Sequence, residues 1–284
     1  MANILPFDRQ VEVISALTEG VSIRAVERLT AVHRDTIMRL GVRVGKGCAE
    51  LHDAVLRDLH VARLELDEAW SFVGKKQKQI THEDGSDVGD QYVFIGMASS
   101  AKAIVSYKVG KRNAQNTREF LQDLRDRVLG RPEISSDGFN CYPEAVDRAF
   151  GIDCTYGMID KHYSAPNSPE AARRYSPADV VSITTRKVVG YPSHISTSLV
   201  ERQNLSLRMG QRRFTRLTNA FSKKLENHCA AVSLYVAHYN FCRVHEALRI
   251  TPAMQLGITD HIWSIGELVD AALNGVLQSQ RAAA

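Results

Sequence analysis

The hydrophobic and polar positions divide the chain into a helical beginning and a longer mixed part. Between residues 8 and 46, apolar residues recur at helical spacing, as at Val11, Ile14 and Leu17, and this predicts amphipathic helices. Three short helices are expected, in DRQVEVISALTEG, in SIRAVERL and in HRDTIMRLGVRV. From residue 61 onward, β-branched and alternating runs become common, which is typical of strands.

The three N-terminal helices are typical of a helix-turn-helix. Ser22 can cap the second helix, a brief turn follows at residues 30–32, and the third helix is basic. In such a motif the last helix lies on DNA, so Arg34 and Arg39 are candidate DNA contacts. The alternative is a small helical cap with solvated arginines.

The mixed part alternates strands and helices. Strands are predicted in LELDEAW, QYVFIGMAS, AIVSYKVG, PEISSDG and CTYGMIDKH, and helices in TREFLQDLRDRVLG and YPEAVDRAFG. Four of the eight prolines lie in residues 163–192, which indicates an inserted loop. Helices are then expected in SLVERQNLSLR and in one long segment over 219–245.

Three antiparallel strands followed by α/β units are the element order of an RNase H-like fold. We therefore predict an α/β protein in which an RNase H-like mixed sheet, flanked by helices, follows a small all-α helix-turn-helix domain. The expected division is a helix-turn-helix domain at 1–60, a catalytic domain at 61–250 with the loop insertion at 163–192, and a C-terminal helical tail at 251–284.

Composition narrows the compartment and permits a nucleic-acid partner. The net charge of +4 allows DNA binding without requiring it. The five cysteines are scattered and form no Cys-x-x-Cys pair, which favours a reducing compartment over a disulfide framework or a zinc ribbon. The chain shows neither a signal-peptide pattern nor a run of about 18 apolar residues. A soluble cytoplasmic protein with no membrane partner is expected.

Three acidic residues lie on elements that folding could bring together. Asp67 lies on the first strand, Asp137 ends the fourth strand, and Glu201 lies on the helix after the insertion. In an RNase H-like sheet the first and fourth strands are neighbours. Clustered carboxylates repel one another, and two Mg²⁺ ions would neutralise them and grip both oxygens of a phosphoryl transfer.

Each acid also has a structural interpretation. The alternation of a strand places Glu65 and Asp67 on one face and Glu68 on the other, so Glu65 competes almost equally with Asp67. Asp137 precedes a glycine and could be a turn residue. Glu201 could close a capping box with Ser198.

Basic residues surround the third acid. Between residues 202 and 224 there is no Asp or Glu, and the basic residues there are Arg202, Arg208, Arg212, Arg213, Arg216, Lys223 and Lys224. Such a run suits a phosphate backbone, although a solvated helix face is the alternative. Lys75, Lys76 and Lys78 form a second small patch.

Two other residue types add to the candidate DNA surface. Asn204 and Arg208 share a helix face with Glu201, so all three could point toward one scissile phosphate. Trp70 could stack on an unpaired base, although a core role is the commoner one for tryptophan.

At LDEAWSFVGKK, SSDGFNCY and SLVERQN the chain resembles the DDE transposases of bacterial insertion sequences, and most of all the insertion-sequence-one family. The resemblance covers about residues 61–250. It matches the family's acids to Asp67, Asp137 and Glu201, with Arg202 and Asn204 completing the last motif. By this resemblance Asp67, rather than Glu65, is the first member of the triad.

The resemblance implies binding of two Mg²⁺ or Mn²⁺ ions by that triad, and cleavage and strand transfer at the ends of an insertion element. The implied partners are double-stranded DNA and further copies of the chain, in a homodimer or higher oligomer. The family commonly carries an N-terminal zinc-finger-like segment with paired cysteines, which is absent here. The alternatives are an RNase H-like nuclease or resolvase and a DNA-binding regulator that uses only the helix-turn-helix.

Overall fold

The computed structural model describes residues 4–164, 180–215 and 219–275. Pro166, Pro169 and Pro177 and the candidate DNA contact Arg216 lie outside the described residues. Within the described ranges, no helix combines the length and the apolar character that crossing a membrane requires.

The chain begins with three helices, α1 (Phe7–Thr18), α2 (Ile23–Thr30) and α3 (Arg34–Val55). Ser22 caps α2 as expected, because its hydroxyl accepts the N–H of Ala25 at 3.3 Å. A tight turn joins α2 to α3, with Ala31 at a φ of +53°. The helix α3 has 22 residues, which is longer than the sequence pattern indicated.

A mixed six-stranded sheet forms the centre of the protein. Its strands are β2 (Arg63–Val73), β3 (Gly89–Ala98), β4 (Ala103–Gly110), β6 (Glu133–Asp137), β7 (Thr155–Tyr163) and β8 (Val180–Val189). Their spatial order is β4-β3-β2-β6-β7-β8. β6 is parallel to β2 and β7, and the other pairs are antiparallel. Two short strands, β1 (Leu59–His60) and β5 (Val128–Leu129), form a separate parallel pair.

The remaining helices are α4 (Ala114–Arg127), α5 (Tyr142–Phe150), α6 (Ser198–Gly210), α7 (Leu225–Ala237), α8 (Pro252–Gln255) and α9 (Ile265–Asn274). A π-helical turn over His238–Cys242 follows α7. Short 3-10 turns lie at Gln77–Gln79 and Arg212–Phe214.

The sheet separates two hydrophobic clusters because its side chains alternate between the faces. On one face, Leu66 and Phe94 join a cluster with Phe120 of α4 and residues of α5. On the other, Ile95 joins a cluster with Val200 of α6 and residues of α7. The predicted α/β architecture, a mixed sheet flanked by helices, is confirmed.

Two stretches differ from the expected elements. Residues 180–189, inside the predicted 163–192 loop, form the edge strand β8, which pairs with β7. The prolines before them concealed a run of β-branched residues. The long helix expected over 219–245 begins only at Leu225. Phe221, just before it, contacts the ring of Phe72, with the ring centroids 4.8 Å apart.

Close helix packing explains the length of α3. A Cβ on Gly45 would lie 2.2 Å from the carbonyl oxygen of Ala230 in α7, and one on Gly47 would lie 1.7 Å from that of Ala272 in α9. Glycines disfavour helices by propensity, which is why the pattern indicated a shorter one, but here only glycine allows the backbones to approach. The N-terminal helices, the sheet and α9 contribute to one hydrophobic cluster, while the predicted boundaries at 60 and 250 stay predictions.

We expect Gly47→Ala to destabilise the protein by about 2 kcal/mol or more, because the added methyl group overlaps backbone atoms that cannot move independently. Gly41→Ala is the matched control in the same helix, since its Cβ would meet only the Leu17 side chain, at 3.3 Å. Urea unfolding measures both. Equal midpoints for the two variants would contradict the packing of α3 on α9.

Candidate active site

Two aspartates lie side by side where β2 and β6 cease to pair. The last residue pair of this parallel ladder is Leu66 with Ser136, so Asp67 and Asp137 follow at the same level on neighbouring strands. The two side chains line one cleft of about 950 Å³. The structure therefore brings together the first two acids of the predicted triad.

The third predicted acid, Glu201, lines the same cleft from α6. Its carboxylate accepts hydrogen bonds from the ammonium group of Lys161 on β7 and, at 2.6 Å, from the hydroxyl of Thr197. The alternative capping box is not formed, because the helix begins at Ser198 and its N-cap residue Thr197 makes no capping bond. Glu201 thus faces the cleft, paired with a cation.

Glu65 caps α6 from the neighbouring strand. Its buried carboxylate accepts the backbone N–H groups of Leu199 at 2.8 Å and Val200 at 3.2 Å. A negative charge at a helix N-terminus is favourable, so this contact holds the helix that carries Glu201 against the sheet. Glu65 and Asp67 share a face, as the alternation predicted, but the carboxylate of Glu65 is engaged by the helix.

The turn after β6, at Asp137 and Gly138, stabilises the backbone and also shapes the cleft. Asp137 accepts the N–H of Phe139 at 3.1 Å, as expected of a turn residue. A Cβ on Gly138 would lie only 2.0 Å from a carboxylate oxygen of Asp160 on β7. The absence of a side chain at Gly138 therefore lets Asp160 approach the same cleft.

Glu68 is a site residue that the sequence pattern missed. Alternation assigned it to the face opposite Asp67, yet ligand atoms of Asp67, Glu68 and Asp137 all lie within 4.8 Å of one another. The geometry is possible because β6 ends at Asp137, so side chains from both faces of β2 reach the strand end. An acid next to Asp67 in an apolar run was the only signal available.

Arg112 joins two of these acids. Its Nε donates to Glu68 at 3.1 Å, and its Nη2 lies 3.6 Å from a carboxylate oxygen of Asp137. The guanidinium group lies 3.9 Å from the centre of the Phe139 ring, a cation–π contact that fixes its orientation. Arg112 and Lys161 thus pair with acids of this cleft, and Arg208 lines it as well.

Burial and mutual repulsion raise the pKa values of the acids in the cleft. Burial, followed by the charge of Asp137, raises the pKa of Asp67 to about 6. The same two causes, in the same order, raise the pKa of Glu68 to about 7. Burial also raises the pKa of Asp137, against the opposing effects of a backbone hydrogen bond and Arg112. Further positive charge bound beside these three neighbouring carboxyl groups would favour their ionised forms.

Two buried oxygen atoms of residues in the cleft complete no hydrogen bond of normal geometry among the described residues: Asn204 Oδ1, and Glu68 Oε1, whose carboxylate lies near the hydroxyl of Tyr142. Asn204 donates its amide to Asp67 at 2.8 Å. Buried acceptors are nearly always satisfied, and carboxylate and amide oxygens are the ligands that hard divalent cations prefer. The residues present therefore fit a divalent cation bound beside Asp67.

The other predicted contacts are distributed unevenly. Arg208 lines the cleft together with Asn204 and Glu201, one turn further along α6. Arg202 and Arg212 are exposed, and so are Arg34 and Arg39 at the start of α3. Arg213 differs from expectation, because it is partly buried and donates to the hydroxyl of Ser222 at 3.0 Å. Burial lowers the pKa of its guanidinium group.

The region beyond the cleft along β2 is aromatic and basic. Trp70 is half-buried, with its ring 5.8 Å from that of Phe72. Lys76 is exposed, with its ammonium group 5.9 Å from the centre of the Phe72 ring. Lys75 is exposed but pairs with Asp84 at 2.8 Å, which reduces the charge that it offers to a partner.

Comparison with known proteins gives one relative in sequence. The chain is 24% identical over 177 residues to the insertion element iso-IS1n protein InsB of Shigella dysenteriae, a match over 62% of this chain and 95% of that protein. No protein-family profile matches the chain. The sequence match supports the resemblance to insertion-element proteins.

A search of solved structures found the piggyBac transposase in a synaptic complex with hairpin DNA. The TM-score is 0.38 and the sequence identity 10%, over 98% of this chain and 72% of that one. A TM-score of this size does not establish a common fold.

We expect Asp67→Asn to stabilise the metal-free protein at pH 7 by about 1–3 kcal/mol. The pKa of Asp67 rises on folding to about 6, from about 3.9 in an unfolded chain. The folded state therefore binds more protons between these values, and the free energy of unfolding falls as pH rises through that window. Asparagine does not ionise, so the variant avoids this loss of stability at pH 7.

Urea unfolding at several pH values, with a chelator present, measures the effect. Glu65→Gln is the matched control on the same strand and should lose stability, because it weakens the cap of α6. A lower stability of Asp67→Asn than of wild type at pH 7, with an unchanged pH slope, would contradict the electrostatic assignment.

Proposed function

We propose that the chain is a DNA transposase of an insertion element, which cuts DNA at the element ends and joins them to target DNA. The observation that carries the proposal is the placement of Asp67 and Asp137 on neighbouring strands, just beyond the last residue pair that joins those strands, with Glu201 facing them across one cleft. The similarity to an insertion-element protein supports the same conclusion.

The order and direction of the strands support an RNase H-like catalytic domain. Strands β2, β3 and β4 form an antiparallel meander, and β6 and β7 then add in parallel beside β2. This is the arrangement expected from the element order along the chain. It places Asp67, where β2 ceases to pair with β6, and Asp137, at the carboxyl end of β6, in one cleft, where they could share the metal ions of a phosphoryl transfer.

Asp67, Asp137 and Glu201 would hold two Mg²⁺ or Mn²⁺ ions. Bound there, the ions would neutralise the acids and grip the attacking and leaving oxygens of the phosphate. Glu201 lies outside the group of acids whose ligand atoms are within 4.8 Å of one another, and it pairs with Lys161. Engagement of Glu201 therefore requires Lys161 to release it, which frees an ammonium group for the DNA phosphate.

The remaining polar residues of the cleft orient the substrate. Asn204 and Arg208 follow Glu201 on the cleft face of α6, where they suit the phosphate oxygens beside the cut. Exposed basic residues extend this surface, namely Arg202, Arg212, Lys75 and Lys76, and Trp70 suits an unpaired base. Arg213 is left out of the surface because its guanidinium group is turned into the protein.

The N-terminal helices would bind DNA through Arg34 and Arg39, whose exposure on α3 leaves them accessible. Each phosphate contact contributes to the salt dependence of binding. Because transposition brings two element ends together, we propose that the chain acts as a homodimer or a higher oligomer on double-stranded DNA.

We expect Asp137→Asn and Glu201→Gln each to reduce DNA cleavage by several orders of magnitude while end binding stays within a few fold. Each variant keeps the size of the side chain and removes the charge that binds the metal. The assay supplies Mg²⁺, target plasmid and DNA that carries the flanks of the element encoding the chain. Glu65→Gln is the control that should keep activity, since glutamine can still accept the N–H groups of α6, although the loss of its charge weakens this cap and lowers stability.

The products separate the possible functions. Joined products support a transposase, cutting without joining indicates a nuclease or resolvase, and binding without cutting indicates a regulator. Cleavage by Glu201→Gln at near the wild-type rate would remove Glu201 from the site.

A further inference from the structure

We infer that Glu68 is a direct ligand of the cation held by Asp67 and Asp137, and that it reaches this cation from the opposite face of the sheet. The inference rests on the proposed metal-dependent function and extends it, because the predicted triad contains no residue from that face. It makes the centre a four-acid site in which Glu68, Asp67 and Asp137 form the part already assembled.

The strand end makes this convergence possible. Leu66 is the last residue of β2 that pairs with β6, so beyond it this edge of β2 is open to the cleft. Asp67 then approaches from the face that packs against α6, and Glu68 from the face that packs against α4. Their ligand atoms and one from Asp137 lie within 4.8 Å of one another, close enough to share an ion.

One carboxylate oxygen of Glu68 lacks a hydrogen bond of normal geometry, and a cation could bind that oxygen. Its side chain is only 2% exposed, and Oε2 is held by Arg112. The nearby hydroxyl of Tyr142 favours the ionised form of Glu68, yet neither that hydroxyl nor Glu68 Oε1 completes a hydrogen bond of normal geometry. Buried acceptors are nearly always satisfied, and a cation bound beside Asp67 would satisfy this one.

A second unsatisfied atom lies on the other side of Asp67. Asn204 is 3% exposed, and its amide nitrogen donates to Asp67, so its Oδ1 atom remains without a donor in the cleft. Two buried oxygens without a hydrogen bond of normal geometry thus belong to residues beside Asp67. A divalent cation satisfies such atoms, because carboxylate and amide oxygens are the ligands that hard cations prefer.

Arg112 is the positioning residue for Glu68. It binds Oε2 and stacks on Phe139, which leaves Oε1 as the ligand atom. The competing interpretation is that Glu68 only balances the charge of Arg112. The two interpretations differ in whether the atom at position 68 touches the metal.

A change of ligand chemistry tests this contact without DNA and without catalysis. In Glu68→Cys a thiolate replaces the carboxylate, and thiolates select soft metals over Mg²⁺ and Mn²⁺. We expect Cd²⁺ to bind this variant at least tenfold more tightly than wild type, and Mn²⁺ at least tenfold more weakly. A Cd–thiolate charge-transfer band should appear in the ultraviolet spectrum and saturate at one equivalent.

Glu65→Cys is the matched control, because it places a thiol three residues away on the same strand and should give no such band above the background of the five native cysteines. Circular dichroism shows whether each variant is folded. Glu68→Gln supplies a second measurement that keeps the hydrogen bond to Arg112, and its Mn²⁺ affinity should also fall at least tenfold.

The outcomes distinguish this inference from the proposed function. If Asp67→Asn loses Mn²⁺ binding while Glu68→Gln keeps it and Glu68→Cys gives no Cd²⁺ band, Glu68 is not a ligand and the metal centre stands. If Asp67→Asn also keeps wild-type Mn²⁺ binding, the metal centre itself is wrong. Loss of Mn²⁺ in both variants together with the Cd²⁺ band supports direct ligation.

Discussion

Mutual repulsion of buried carboxylates is the constraint on which this structure depends. Asp67, Glu68 and Asp137 have their ligand atoms within 4.8 Å of one another, and the pKa of each is raised by burial before any other cause. A fold gains no stability from such an arrangement in the absence of cations. Interactions outside the cluster therefore have to hold the acids together, and the strands and helices around the cleft supply these interactions.

The acids are held together by backbone pairing between strands and by side chains that bind the elements around the cleft. Parallel pairing of β2 with β6 places Asp67 beside Asp137, and the missing side chain at Gly138 admits Asp160. Glu65 binds the N-terminus of α6 and so fixes the helix that carries Glu201 and Asn204. Arg112 and Lys161 supply positive charge at the two ends of the cleft. The proposed catalytic centre is thus assembled by elements that do not themselves react.

The sequence predicted the parts of the fold that follow from local periodicity. The strand that carries Asp67 begins with leucines that alternate with polar residues, and Ser22 is a direct cap signal, so these elements were found. The length of α3 could not be predicted, because Gly45 and Gly47 oppose a helix locally and are explained only by distant backbone contacts. Strand β8 was not predicted, because the prolines that precede it are typical of a loop.

The site was predictable only where spacing and motif pointed to the same residue. Asp67 and Asp137 lie together as strand order implied. Glu68 lies on the face that alternation predicted, but its place in the site was not predicted, because alternation describes the faces of a strand and not the end of its neighbour. Arg213 was counted with its exposed neighbours, although its guanidinium group is turned inward toward Ser222. Side chains from both faces of β2 can converge only beyond the last residue that pairs with β6. The hydrophobic periodicity of the sequence does not show where that pairing ends.

The central claim is that the clustered acids form a cation site. Anomalous diffraction from crystals soaked in Mn²⁺ tests this claim most directly, because it locates the metal without reference to activity. A Mn²⁺ peak is expected between Asp67 and Asp137, within direct coordination distance of a carboxylate oxygen from each. Crystals with Mn²⁺ bound only at other residues, or with the cleft free of Mn²⁺ at saturating concentration, would contradict the claim.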